Sequence, residues 1–218
     1  MALNSSLTIE FKRKALHALA LIIPFGLFFL PEKVAFPLIF CTTAASVTVE
    51  IIRLRFPGFS RFFHRIFGIL LRPHETSRMT GSTFLLISAS LCTLTLALVS
   101  RKWLLNSNAR AALFYAFSFL ILGDAAAAVF GKLYGRRRMF GQKTWVGFFA
   151  CFAACMVFFL ITQPLLPIVR IPILTAASVA LLTALLESLP VQSDDNLRVA
   201  PVCCFLLYGI LSHGWSIW

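Results

Sequence analysis

The sequence predicts an all-α polytopic transmembrane bundle of about seven spans, its N-terminus cytoplasmic, forming a single integral-membrane domain over residues 1–218. Three observations predict it. Hydrophobic residues make up 59% of the chain and mean hydropathy is +0.87, well above the balance of soluble domains. Apolar runs recur at lengths near the roughly 20 residues that a helix needs to cross a bilayer. Basic residues cluster between those runs, and fifteen of the twenty lysines and arginines fall on one side when the N-terminus is cytoplasmic.

The apolar segments, in order, are 15–30, 34–52, 82–100, 111–130, 145–166, 171–186 and 199–212. The first follows Lys12, Arg13 and Lys14 without a small-residue cleavage site, and so reads as a retained span. Pro24 is expected to kink it. The first, sixth and seventh segments lie near the short limit. Between the second and third, residues 59–71 (FSRFFHRIFGILL) are too short and too basic to span. Phe and Leu alternate there with Arg61, His64 and Arg65 at helical spacing, which predicts an amphipathic helix on the cytoplasmic interface. That helix is either a plain anchor or a wall that guides a lipid headgroup.

The net charge of +12 suits anionic lipid headgroups; with the cations placed between spans, nucleic acid is not an expected partner. All six cysteines fall within predicted spans and no CxxC occurs, so they read as small packing residues. Of the eight acids, Glu32 alone falls on the outer side. Acids do not drive topology, so their bias points to a functional cytoplasmic face.

Four stretches on that face carry candidate chemistry. Asp124 sits inside an apolar run, where an ionisable group is costly and is a functional candidate by default. Gly131 lies two helical turns further on the same face, with Ala127 and Ala128 between, so a nucleotide or another helix can approach closely. The glycine-punctuated loop that follows holds Lys132, Arg136, Arg137, Arg138 and Lys143. Its Gly135-x5-Gly141-Gln142-Lys143-Thr144 run misses Walker A spacing, so a P-loop is rejected. What remains is a cation-rich loop with Lys143 and Thr144 at a helix start, which suits polyphosphate.

Next, Glu187 ends the sixth segment, and Ser193-Asp194-Asp195-Asn196 precedes the seventh. That turn is either a helix cap at Ser193 or Asp194, or oxygen ligands for Mg²⁺ bound together with nucleotide phosphates. Asp124, Asp195 and Asn196 form the candidate metal set. At the mouth of the first span, Arg13 and His17 share a helical face beside Lys14; phosphate contact, proton transfer or packing within the bundle all suit His17. Glu75, Thr80 and Ser82 lie at the entrance of the third span, as further phosphate-binding or capping groups.

Taken in order, Arg13-Lys14-x2-His17, Arg72-x2-Glu75-x4-Thr80-Gly81-Ser82, Gly123-Asp124-x6-Gly131, Lys143-Thr144-x2-Gly147 and Glu187-x6-Asp194-Asp195-Asn196 resemble the integral-membrane CTP-dependent lipid kinases: dolichol kinase, phytol kinase and the yeast-type diacylglycerol kinase. The resemblance runs from about Arg13 to Pro201. It implies CTP as phosphoryl donor, a membrane lipid alcohol as acceptor, and functional positions at Arg13, Lys14, Asp124 and Gly131. On this reading Asp124, Asp195 and Asn196 hold Mg²⁺ while Arg13, Lys14, Arg136 and Lys143 offset phosphate charge. Asp124, Glu187 and His17 are the alternatives for the base. Residues 123–147 are also similar to part of phosphatidate cytidylyltransferase, whose later Lys-Asp and His-Gly-Gly elements are absent. A non-enzymatic rival, a small transporter or channel with Asp124 as its ion site, predicts a polar path through both halves of the bundle.

Overall fold

In hydrocarbon a backbone must satisfy its hydrogen bonds within each segment, which favours helices. The computed structural model is helical accordingly, with no strand among the described residues. Those are residues 13–68, 71, 73–100, 105–166, 169–191 and 194–213; Lys12, Arg72, Arg101, Lys102 and Ser193 fall outside them. Residues 13–18 are α-helical and lead through a 3-10 turn, Leu19–Leu21, into α1, Ile22–Phe29. There follow α2, Glu32–Arg55, α3, Pro57–Phe67, and a 3-10 turn, Pro73–Thr76. The remainder is α4, Gly81–Val99, α5, Ser107–Tyr134, α6, Trp145–Leu165, α7, Ile173–Ser188, and α8, Asp195–Ser212.

Among the described residues five helices, α2, α4, α5, α6 and α8, are long and apolar enough to cross a membrane. The first and sixth expected spans fall short of that length. α7 has 16 residues, and the first segment is interrupted by its 3-10 turn, leaving 8 in α1. Pro24 accounts for the interruption: it has no N–H for the carbonyl of Ala20 and its ring crowds that group, so the preceding turn tightens. The seventh expected span reaches 18 residues because its helix already starts at Asp195. The amphipathic helix expected over 59–71 runs from Pro57 to Phe67, a proline-led start, with Phe62 and Ile66 exposed.

α5 is the central helix. From Ala109 to Ile121 it is buried almost all round, and it packs against α1, α4, α6, α7 and α8. Small residues set its distance from α6. A Cβ on Gly123 would lie 2.6 Å from Cys151 Sγ, and one on Gly131 would lie 3.1 Å from Thr144 Oγ1. All six cysteines are free thiols; five are buried packing residues and Cys41 is exposed.

A polar ladder joins α2 to α4. Thr43 Oγ1 lies 2.7 Å from Ser90 Oγ, Ser46 Oγ lies 2.7 Å from Thr83 Oγ1, and Thr80 Oγ1 donates to Glu50 Oε1 at 2.9 Å. Glu50 and Arg53 are fully buried and paired, and Arg53 also donates to the carbonyls of Glu75 (3.0 Å) and Arg78 (2.6 Å). The guanidinium lies 5.5 Å from the Phe63 ring centroid. One arginine therefore ties the 73–80 segment and α3 to the end of α2. Arg53→Met strands a buried carboxylate and is expected to cost about 3–5 kcal/mol. Adding Glu50→Gln should restore part of the loss, as read by thermal unfolding in detergent.

Candidate functional site

A cavity of about 500 Å³ opens at the end of the bundle where residues 13–14, the last three turns of α5, the 135–144 loop, the start of α6, the end of α7 and the start of α8 meet. Each element delivers its polar group for a local reason. Small residues on α5 (Ala127, Ala128, Gly131) leave room beside Asp124, and all line the space. The loop doubles back as a short hairpin: Met139 N–H donates to the Lys143 carbonyl and Lys143 N–H to the Phe140 carbonyl, both at 2.8 Å. Gly141 supplies the left-handed turn this needs, at φ +54°. Thr144 then caps α6, its Oγ1 accepting from Gly147 N–H at 3.1 Å. Lys143 is thereby aimed inward.

Asp124, Glu187 and Asp195 line this one cavity together with Arg13, Lys14, Lys132 and Lys143. The carboxylates are paired. Lys14 Nζ bonds Asp124 Oδ2, with His17 Nε2 at 3.7 Å from the same oxygen. Lys143 Nζ bonds both oxygens of buried Glu187, at 2.6 and 2.7 Å. Arg198 Nη2 donates to Asp195 Oδ1 at 2.8 Å. Burial works against the Lys143 ammonium, but the Glu187 charge and hydrogen bonds outweigh it and raise its pKa above the ordinary lysine value. Its side chain is still 41% exposed, so it reaches from Glu187 towards solvent.

A second cavity, of about 370 Å³, lies on the other side of residues 13–17. Arg13 and Lys14 line both cavities, whereas His17 faces only the second. Phe63 and Phe67 of α3 wall it, so the amphipathic helix does border the site. Glu75 and Ser82 belong here: Glu75 Oε1 accepts from Gly81 N–H at 2.8 Å, and Ser82 Oγ lies 3.0 Å from Thr80 Oγ1.

Two expected roles change, those of Asn196 and Arg136, while Asp194 takes the capping role that is one of its two alternatives. Asn196 does not face the phosphate-sized cavity; its Nδ2 donates to the Gly81 carbonyl at 3.0 Å, pinning α8 to the start of α4. Asp194 is the cap of α8, its Oδ1 accepting from Asn196 N–H at 2.9 Å. Arg136 is exposed on the hairpin and is not part of the cavity wall, because the turn directs Lys143, not the arginines, inward. Gln142 and Lys132, in contrast, do line it. The Glu50–Arg53 network was also unforeseen, although its i,i+3 spacing was a signal.

No group of three or more His, Cys, Asp or Glu side chains is placed to hold a metal ion among the described residues. Asp124 and Asp195 remain as hard oxygen donors in one cavity, which fits an ion that takes its other ligands from nucleotide phosphates and water. Comparison with protein-family models, curated proteins and solved structures finds no match.

The ion pair at Lys143 gives a pH signature. While Glu187 is ionised, the raised Lys143 pKa means the pair's contribution is complete below the unfolded lysine value of about 10.4 and is lost as pH rises through the folded value. The stability gap between the native chain and Lys143→Met should therefore stay level from pH ~8 to ~10 and close above it, measured by thermal unfolding.

Proposed function

We propose that this chain is a kinase of membrane lipid alcohols that takes the γ-phosphate of CTP, working at the cytoplasmic face of a seven-span bundle whose N-terminus is cytoplasmic. The observation that carries the reading is the shared wall: Lys14, paired to Asp124 beside His17, separates a cation-lined cavity from one walled by the amphipathic helix. Two substrates of different polarity, one from water and one from the bilayer, fit such a pair of chambers. CTP as donor rests on the resemblance of the motifs, as does the lipid-kinase class.

In this mechanism the triphosphate occupies the first cavity, where Arg13, Lys14, Lys132 and Lys143 oppose its charge and the α6 N-terminus adds N–H groups. The lipid hydroxyl enters the second cavity from the membrane side. Its oxygen attacks the γ-phosphorus, the bond to the β–γ bridging oxygen breaks, and CDP leaves with that electron pair. The hydroxyl proton passes to the His17 imidazole, which Asp124 orients and stabilises once charged. A Mg²⁺ ion bound with the nucleotide, held by Asp124 and Asp195, would supply further neutralisation of phosphate charge. Such transfer needs positioning and electrostatics more than covalent chemistry from the protein.

The channel reading has less support. Below Asp124 the bundle is plugged by aromatic rings, with Phe114 centred 5.0 Å from Phe25, 4.9 Å from Phe28 and 5.6 Å from Phe158. Glu32, beyond the plug, is committed to Arg110 at 3.0 Å. No polar path joins the two ends among these residues.

Purified protein given γ-labelled CTP and lipid alcohols should produce labelled lipid monophosphate and CDP. Unlabelled CDP-lipid with labelled pyrophosphate would instead indicate a cytidylyltransferase. Asp124→Asn and His17→Gln should each lower turnover by roughly 100-fold or more while the protein stays folded. Lys143→Met should weaken nucleotide binding by about tenfold, whereas Arg136→Met, a screened surface charge, should change it less than about twofold.

A further inference from the structure

A third space is left unused by this chemistry. A groove of about 360 Å³ runs between α1, α2 and α4, lined almost wholly by apolar side chains such as Ile22, Leu38, Ile39 and Leu86. Ala20, Ser82 and Leu85 line both this groove and the second cavity, so the two are continuous. From Ala20 to Leu30 the groove follows the first segment for roughly 15 Å, about half the hydrocarbon core of a bilayer. Ile22 and Leu38 are 76% and 54% exposed, so the groove also opens sideways towards lipid. Gly26 keeps it wide: a Cβ there would meet nothing within 4 Å except Leu30 Cδ1, at 3.8 Å.

Polarity falls along this path. It starts at Arg13, Lys14, His17, Glu75 and Ser82 and ends among aliphatic side chains. That gradient matches a polar head on a long hydrocarbon chain, the form of the lipid alcohol in the reaction proposed above. Building on the kinase reading above, we propose that the α1–α2–α4 groove holds one hydrocarbon chain of the lipid alcohol, which sets the hydroxyl beside His17 and makes chain length a determinant of acceptor specificity.

The test uses the full chain in phosphatidylcholine vesicles and a long-chain primary alcohol carrying a mid-chain diazirine. Photolysis should label groove residues of α1, α2 and α4, with unlabelled long-chain alcohol competing and extra phosphatidylcholine not. Labelling spread over all exposed helices, or competition by phosphatidylcholine, would overturn the proposal. Gly26→Leu fills the groove without a backbone clash and should abolish groove labelling. In the kinase assay it should raise KM about tenfold for a long-chain acceptor, the effect of denying about two methylenes their burial. KM for a short-chain alcohol and for CTP should not change; equal losses on short and long acceptors would overturn the groove. Groove labelling with no phosphate transfer to any alcohol would leave the groove standing and sink the kinase reading, so the two fail separately.

Discussion

The Lys14–Asp124 ion pair is the contact on which the site depends. It ties the N-terminal helix to the C-terminal half of α5 across 110 positions of sequence. Both partners lie away from solvent, and desolvating charges costs several kcal/mol per ion, about what a close partner returns. Such a pair adds little stability by itself. Its value is positional: it stands between two cavities and presents a cation to one and, through His17, an oriented imidazole to the other. Lower down, Phe25 and Phe28 packed on Phe114 keep the same two elements in register.

The other carboxylates obey the same logic. Glu187 is held by Lys143 and Asp195 by Arg198, so the cavity is lined by paired charges. In the proposed reaction an arriving polyphosphate would compete for Lys14 and Lys143 and so free carboxylate oxygens for a divalent ion. Exchange of partners at nearly constant local charge avoids leaving a bare ion in a low-dielectric wall. Away from this end, lipid replaces water, and small residues and hydroxyl pairs take over the fastening of helices.

Much of this was legible in the sequence because it is local. Apolar run length placed the helices, and a carboxylate in an apolar run marked Asp124. Acid at the ends of α7 and the start of α8 marked Glu187 and Asp195, which share its cavity. What was not legible depends on helix rotation and turn geometry. Asn196 and Asp195 are neighbours in sequence, yet the first turn of α8 points one at Gly81 and the other into the cavity. The hairpin likewise turns Lys143 in and Arg136 out. Arg53 is a buried clamp that its place among the cations between spans does not reveal, because its carbonyl partners Glu75 and Arg78 lie 22 and 25 residues away. The third groove has no motif at all; it arises where Gly26 leaves a gap between three helices.

In the proposed reaction the two cavities meet at Lys14 and are filled together. A bisubstrate compound, a long-chain alcohol joined through a polyphosphate to cytidine, tests it by equilibrium binding. Linking halves that occupy adjoining sites should tighten binding by roughly 10²–10⁴ over the better half, and Lys14→Met should remove most of that gain. A conjugate that binds no better than its stronger half would contradict the account.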